Sequence, residues 1–396
     1  MSELPTEWRY VQLEELLEPG TLTYGIVQPG QNDGGGVPIV RVKDLEGGRV
    51  NTDSPLRVSH LVEAAYARSR VRQCYVLLSL VGSVGTCAVA DHNLDGWNLA
   101  RAVGLLRPLS DVGPLWISHC LRGPAAQAFI GQVVNTTVQT TLNLGDLKRV
   151  PIPLPPTNER NAIAGILGAL DDKIESNRRL ADVVDEIVRA EVAFGASGGR
   201  EVAVADLVTL VRTTVQPKSV PTTTRYVGLE HMPRGRIVLD SWGVAEGLGS
   251  GKAVFSPGDI LFGKLRPYFK KVGLAPQVGG VCSTDILVLR PTEPDLTAVA
   301  LAVLASDEFI EFASNAASGT RMPRASWNHM RTYTVRSPTR AVSAQLAALL
   351  GPLLAAAQRG VEESVVLAEL RDALLPELLS GRLRVPVAEE LVEAAT

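Results

Sequence analysis

Two stretches of this chain keep a helical spacing of apolar residues for much longer than an ordinary globular helix. In the first, Ile163, Leu167, Leu170, Ile174, Leu180, Val184 and Ile187 recur at three, four or multiples of these, while Asp171, Asp172, Glu175 and Arg178 fall on other faces. PIPLPP at 151–156 cannot be helix, because each proline biases its predecessor to extended backbone, and Thr157 or Asn158 is placed to cap the helix after it. The pattern ends at Gly195 and the Ser-Gly-Gly run at 197–199. Unbroken, its ~36 residues would extend about 54 Å. The second stretch starts after Pro338 with Leu346, Leu350, Leu353, Ala357, Leu367, Leu370 and Leu374, and stops near Ser380-Gly381. Gly351-Pro352, Gly360 and Pro376 predict kinks that divide it into segments. A helix with one apolar stripe needs a partner. Two such helices in one chain predict an antiparallel, coiled-coil-like pair. The competing expectation is that each packs as a core helix on its own neighbourhood.

The intervening regions switch to short apolar runs closed by turn residues, such as Gly47-Gly48, Pro257-Gly258 and Gly279-Gly280. Val37–Val42, Tyr75–Leu80, Thr86–Ala90, Ile260–Phe262 and Ile286–Leu289 read as strands, with helices expected over Pro114–Val133 and Asp295–Ser314. The fold class is therefore α+β. The boundaries are a mixed lobe at 1–150, a helical region at 151–198, a second mixed lobe at 199–338 and a second helical region at 339–396.

The halves are copies of each other. At an offset of about 190 residues, Val11, Leu13 and Leu16 fall on Val202, Val204 and Leu207. VRVKDLEGGRV (Val40–Val50) falls on VGLEHMPRGRI (Val227–Ile237), Val76 on Ile260, and Leu-Arg-Pro at 106–108 on Leu-Arg-Pro at 289–291. Two copies are too few for a solenoid, which needs three or more. A tandem duplication predicts two similar lobes, pseudo-two-fold symmetry and a target with two halves.

Composition narrows the chemistry. The net charge of −3 disfavours a nucleic-acid binder, but residues 199–340 carry +5, and Ser318–Arg340 holds five arginines and no acid. Cys74, Cys87, Cys120 and Cys282 form no CxxC, so no metal site is expected and free thiols in a reducing cytoplasm fit. The N-terminus is unlike a signal peptide, and Tyr75–Ala90 is too short and polar-interrupted to cross a bilayer, so no membrane partner is expected. There is no GxxxxGK[ST], HExxH or GxSxG, and the five histidines lie far apart as surface or core residues. Leu-Pro-Pro at 154–156 lacks the polar and aromatic residues of an amino-methyltransferase box and reads as structural.

What remains looks like binding. GDILFGKLRPYFKKVG (Gly258–Gly273) sets Lys264, Arg266 and Lys270 beside Tyr268, a mixture suited to phosphates and bases, or to a solvated hairpin face. Its counterpart Tyr75–Val89 is neutral and offers Ser83. Asn135–Pro155, with Gln139 and Thr140, aligns with Ala316–Arg336, with Arg321 and Arg324, and such side chains can pair with base edges in the major groove. Arg41 and Lys43, in the repeated run at 40–50, complete the candidate DNA-binding set. No catalytic residue is assigned.

VPIPLPPTNERNAIAGILGALDDKIESNRRL (Val150–Leu180) resembles the first conserved region of specificity subunits of type I restriction-modification systems. LAELRDALLPELLSGRLRV (Leu367–Val385) resembles the end of the second, and PGDILFGKLRPYFKK and SGTRMPRASWNHM resemble their target-recognition domains. The chain departs from the family pattern at Asn158–Arg160 and Thr339–Gln345, and by carrying Gly360. The resemblance implies a non-catalytic subunit with two target-recognition domains, each reading half of a bipartite, asymmetric site in double-stranded DNA. It implies two long helices that set the spacer and dock two modification subunits, through Ile163, Leu167, Leu170, Ile174, Leu350, Leu353, Leu367 and Leu370. Restriction subunits join that core. S-adenosylmethionine, ATP and Mg are expected on those partners and no cofactor on this chain. A specificity-like subunit of a related phage-defence methylation system and a coiled-coil adaptor that never touches DNA are the alternatives.

Overall fold

The computed structural model describes residues 4–134, 141–315, 317 and 322–395. Two helices of 40 residues dominate it, Thr157–Ala196 and Arg340–Leu379, each about 60 Å long by the rise of the α-helix. Thr157 is the first helical residue and not a cap. The carbonyl of Pro156 takes the first helical bond, from the Arg160 N–H at 2.9 Å. Gly195 lies inside the first helix.

The second helix is not segmented; it runs through Gly351, Pro352, Gly360 and Pro376. An interior proline costs about 3 kcal/mol. The buried residues around these positions, Leu346, Leu350, Leu354, Ala357 and Val361 before Pro376 and Leu374, Leu375 and Leu378 beside it, outweigh that at about 1.5–3 kcal/mol per large side chain. Gly360 has a positive use: a Cβ there would sit 3.3 Å from Asn177, so the missing side chain lets the two helices approach. This helix, not Tyr75–Ala90, is the long apolar segment of the chain, and by length and composition alone (mean hydropathy 1.4) it could cross a membrane.

The chain divides into two compact units, Met1–Asp172 with Ala368–Thr396, and Lys173–Leu367. The helical regions are therefore not separate domains. Each lobe holds its own portion of both long helices, because the apolar stripes are needed to complete the lobe cores.

In the first unit, Arg9–Gln12 pairs antiparallel with Pro151–Leu154, the strand that leads into the long helix. A four-stranded sheet has the order Thr23–Tyr24, Val103–Leu106, Val76–Ser79, Cys87–Val89. A second sheet pairs Val37–Val40 with Leu56–Val58 and, in parallel, with Asn98–Leu99. The helix expected over Pro114–Val133 is two, Pro114–Arg122 and Pro124–Val134. Pro124 has no N–H with which to continue the first, and a side chain at Gly123 would come within 2.5 Å of Leu379. Asp171 on the first long helix accepts from Arg371 on the second at 2.8 Å, and Glu159 accepts from Arg384, just past the second helix, at 2.6 Å.

The second unit repeats this order. Arg200–Ala203 pairs with Thr334–Ser337, and the four-stranded sheet runs Val208–Val211, Ile286–Pro291, Ile260–Gly263, Val272–Leu274. Ile260 faces Leu289 as Val76 faces Leu106 in the first unit. Val227 lies parallel to Cys282 as Val40 does to Leu99, which upholds the duplicated register residue by residue. The helix expected over Asp295–Ser314 is again two, Thr297–Leu304 and Asp307–Asn315. Asn177 donates to Glu363 (2.8 Å) and to Ser364 (3.2 Å), while Gly195 sits against Val342 and Leu346. Numbers rise on one helix as they fall on the other, so the pairing is antiparallel in this unit, as it is in the first.

Candidate nucleic-acid interface

In the second unit the candidate residues converge on the connection between Ile260–Gly263 and Val272–Leu274. The Lys264 N–H donates to the Asp285 carbonyl, and the Lys264 carbonyl accepts from the Ala325 N–H, both at 2.9 Å. Leu265 faces Arg324 in a one-residue antiparallel bridge, and the Arg266 N–H donates to the Pro323 carbonyl at 2.8 Å. The connection is thus stitched to the segment that precedes the second ribbon strand. Its tip is a single turn, Pro267–Phe269, flanked by Arg266 and Lys270 in the left-handed region at φ 50° and 52°. Among the described residues only Cys74 shares a positive φ without being glycine. Such backbone costs of order 1–3 kcal/mol per residue and persists only where the surroundings over-determine it, which is commonly at functional loops.

That turn holds Tyr268 out to solvent, 51% exposed, with Phe269 edge-on behind it at 4.9 Å. Arg234 stacks on Phe269, its guanidinium carbon 4.0 Å from the ring centroid. Lys270 pairs with Asp307 at 2.6 Å and Arg324 with Asp285 at 2.9 Å. Both cations are nearly half exposed, and exposed ion pairs contribute at most about 1 kcal/mol. An incoming phosphate can displace the carboxylates at small cost. Burial, and then the charge of Arg234, hold the Lys271 ammonium below its ordinary value.

The first unit builds the same junction from neutral residues. The Leu80 N–H donates to the Ala102 carbonyl and the Leu142 N–H to the Leu80 carbonyl, at 2.7 and 2.8 Å, and Val81 faces Thr141. Ser83 is exposed in the turn, with its carbonyl accepting from Thr86 at 3.0 Å. A cleft of about 520 Å³ opens here, lined by residues that include Tyr24, Val81, Arg101, Thr141 and Asn143.

The sequence-predicted set is therefore divided. Lys264, Arg266, Tyr268, Lys270 and Arg324 share one loop junction, and Ser83 lies on the equivalent one. Gln139, Thr140 and Arg321 lie outside the described residues. Arg41 is a brace: it donates to Asp44 at 2.8 and 2.9 Å and to the Ser54 carbonyl at 2.7 Å, leaving the exposed Lys43 as the available cation of that turn. The docking assignments also need correction. Ile163, Leu167, Leu170, Leu350 and Leu367 are at most 2% exposed, and Ile174, Leu353 and Leu370 are half-buried. The five buried ones are consumed by the chain's own packing. The exposed apolar positions of the two helices are Leu180, Val183, Phe194, Leu349 and Val366. Arg101 and Arg234 were not expected. Neither sits in a periodic or charged run, and each gains its place through residues distant in sequence. Among the described residues no group of three or more His, Cys, Asp or Glu could hold a metal ion.

The family model described as "Type I restriction modification DNA specificity domain" matches residues 5–186. Residues 5–186 are thus similar to the DNA specificity domain of type I restriction-modification systems. It is 30% identical over 162 residues to the type I restriction enzyme EcoBI specificity subunit of Escherichia coli, covering 40% of this chain and 34% of that one. It is 25% identical over 195 residues to a protein of Methanocaldococcus jannaschii provisionally named type I restriction enzyme MjaX specificity subunit, covering 47% and 44%. The chain thus spans less than half the length of these curated relatives. Its fold is similar to the crystal structure of a type I restriction-modification system S subunit from M. genitalium, with a TM-score of 0.55 at 15% identity, over 95% of this chain and 98% of that one. The likeness in fold extends over both units, although the family model matches only the first copy and most of its helix.

Proposed function

We propose that this chain is the sequence-specificity subunit of a type I restriction-modification complex, each unit reading one block of a bipartite site in double-stranded DNA. The observation that carries the reading is the combination of a DNA specificity domain at 5–186 with a second unit of the same strand order and register. A duplicated reader on two long helices fits a target of two short blocks around a fixed spacer. Modification subunits would supply adenine methylation and restriction subunits cleavage, with S-adenosylmethionine, ATP and Mg held by those partners. Because most of the predicted stripe is buried, the exposed apolar positions between Leu180 and Phe194, with Leu349, are the better docking surface.

The test is a base-resolution methylome of a naive host expressing this chain with its modification subunit. A new bipartite methylated motif that disappears without the chain is the expected result. A complex that forms yet writes no motif would sink the reading in favour of an adaptor. A narrower prediction concerns phosphate contact. Lys264→Ala should weaken binding almost equally for cognate and unrelated duplexes and flatten the log–log salt dependence by about one unit, as one lost phosphate contact requires. An unchanged salt slope would remove Lys264 from the interface.

A further inference from the structure

The same backbone junction is filled in one unit and open in the other. In the second unit, Asp285 and Arg324 occupy the positions that Ala102 and Thr141 hold in the first. The equivalence is fixed by shared hydrogen bonds: Lys264 N–H to Asp285 O matches Leu80 N–H to Ala102 O, and Ala325 N–H to Lys264 O matches Leu142 N–H to Leu80 O. In the second unit the Arg324–Asp285 ion pair (2.9 Å) spans this junction. In the first unit alanine and threonine leave the cleft of about 520 Å³, and among the described residues that line it Arg101 is the sole charged one.

From this we propose that the cleft is the subsite with which the first unit reads a guanine, and that Arg101 is the side chain that reads it. The inference rests on the specificity-subunit reading above.

Three features of Arg101 support the assignment. Its side chain is exposed at the cleft and makes no ion pair among the described residues, unlike Arg41, Arg49, Arg70 and Arg122 of the same unit. Its guanidinium is therefore not already satisfied. Its backbone is pinned: the Arg101 N–H donates to the Ile26 carbonyl (2.8 Å), the Ala102 carbonyl accepts from Leu80 (2.7 Å), and the Val103 N–H donates to the Ala100 carbonyl (2.9 Å). A reader held on fixed backbone discriminates better than one on a loose loop. The surroundings match a base edge better than a phosphate. One guanidinium fork suits the two acceptors O6 and N7 of guanine, and Val81, 41% exposed on the rim, offers apolar contact to a neighbouring thymine methyl. Among the described residues no second cation lines the cleft, whereas phosphate sites gather several.

The experiment compares methylomes written by the full chain with its modification subunit, carrying either Arg101, Arg101→Ala, or Ala102→Asp with Thr141→Arg. The double variant closes the cleft with the ion pair of the other unit and leaves Arg101 in place. Both variants should keep the second block and the spacer of the motif. Each should lose preference for guanine at one position of the first block by about tenfold to a hundredfold. An unchanged motif for both variants overturns the inference while leaving the specificity reading intact. A uniform loss of affinity for every sequence, with a salt slope lower by about one, would make Arg101 a phosphate contact and also overturns it. Absence of any motif with the unaltered chain would defeat the specificity reading itself, a distinguishable result.

Discussion

Asp171→Ala is expected to destabilise the first unit by about 3–5 kcal/mol, because it strands Arg122 and strips Arg371 of its buried partner in a mostly buried site. Asp171 receives Arg122 at 2.9 Å and Arg371 at 2.8 Å, and all three side chains are only 16–17% exposed. Burial on its own would raise the carboxyl, but the charges and hydrogen bonds of Arg122 and Arg371 win and hold it below its ordinary value. The carboxylate thus ties a lobe helix, Pro114–Arg122, to both long helices at once. Removing it leaves Arg122 without a counter-charge and Arg371 with only the exposed Asp372, at 2.7 Å. Thermal unfolding should shift by about 6–15 °C for a unit of this size. The double variant Asp171→Ala with Arg371→Ala should be less harmful than the sum of the single changes, since the second removes a charge the first stranded. A shift below about 2 °C, or simple additivity, would show that the cluster is solvated and structurally idle.

The parts of this fold written in local spacing were legible. The two long helices follow from apolar residues at three and four, and the repeat follows from colinear matches such as Val76 with Ile260, which the strand register reproduces. Antiparallel pairing followed from the pseudo-two-fold symmetry that a tandem duplication implies. Features decided by distant neighbours were not legible. Pro352 and Gly360 read as break points, yet packing on both sides carries the second helix through, and Gly360 serves the close passage of Asn177. The docking stripe was correctly seen as apolar, but whether a stripe faces a partner or the chain's own lobe depends on what the lobe leaves uncovered.

The candidate site divides in the same way. The basic and aromatic run at 264–270 was visible as composition, and the structure adds the stitching to 323–325 and the two left-handed residues that aim Tyr268 outward. Arg41 looked like the same kind of cation. Its role was set by Asp44 three residues on, a local signal that composition alone passes over. Arg101 carried no signal, because its significance comes from Val81 and Thr141, residues 20 and 40 positions away, and from the absence there of the Asp285–Arg324 pair.

Acid should loosen the first unit well before carboxylates protonate, and His119 is the reason. Its ring is 1% exposed, and neither ring nitrogen has a hydrogen-bond partner. Burial, then the positive charge of Arg122, lower its pKa from 6.5 to about 4, with Asp171 opposing and Arg371 adding. The folded chain therefore holds a neutral imidazole where the unfolded chain takes up a proton. A base whose folded pKa is depressed contributes full stability above the unfolded value and loses it as pH falls from about 6.5 towards 4. At 1.36 kcal/mol per pKa unit, that loss amounts to about 3 kcal/mol across the window. Asp171 acts later: its stabilisation is present above its unfolded value and is lost only as pH drops through its still lower folded one. Urea unfolding of the wild type and of His119→Leu at pH 7.5, 6, 5 and 4.5 separates the contributions, since every other titrating group is common to both. The stability difference between them should shift in favour of His119→Leu by about 2–3 kcal/mol between pH 7.5 and 4.5. Parallel pH profiles would mean that His119 takes up its proton at the same pH in the folded and unfolded chain, with Asp171 at 4.0 Å offsetting the effect of burial, and would overturn the assignment.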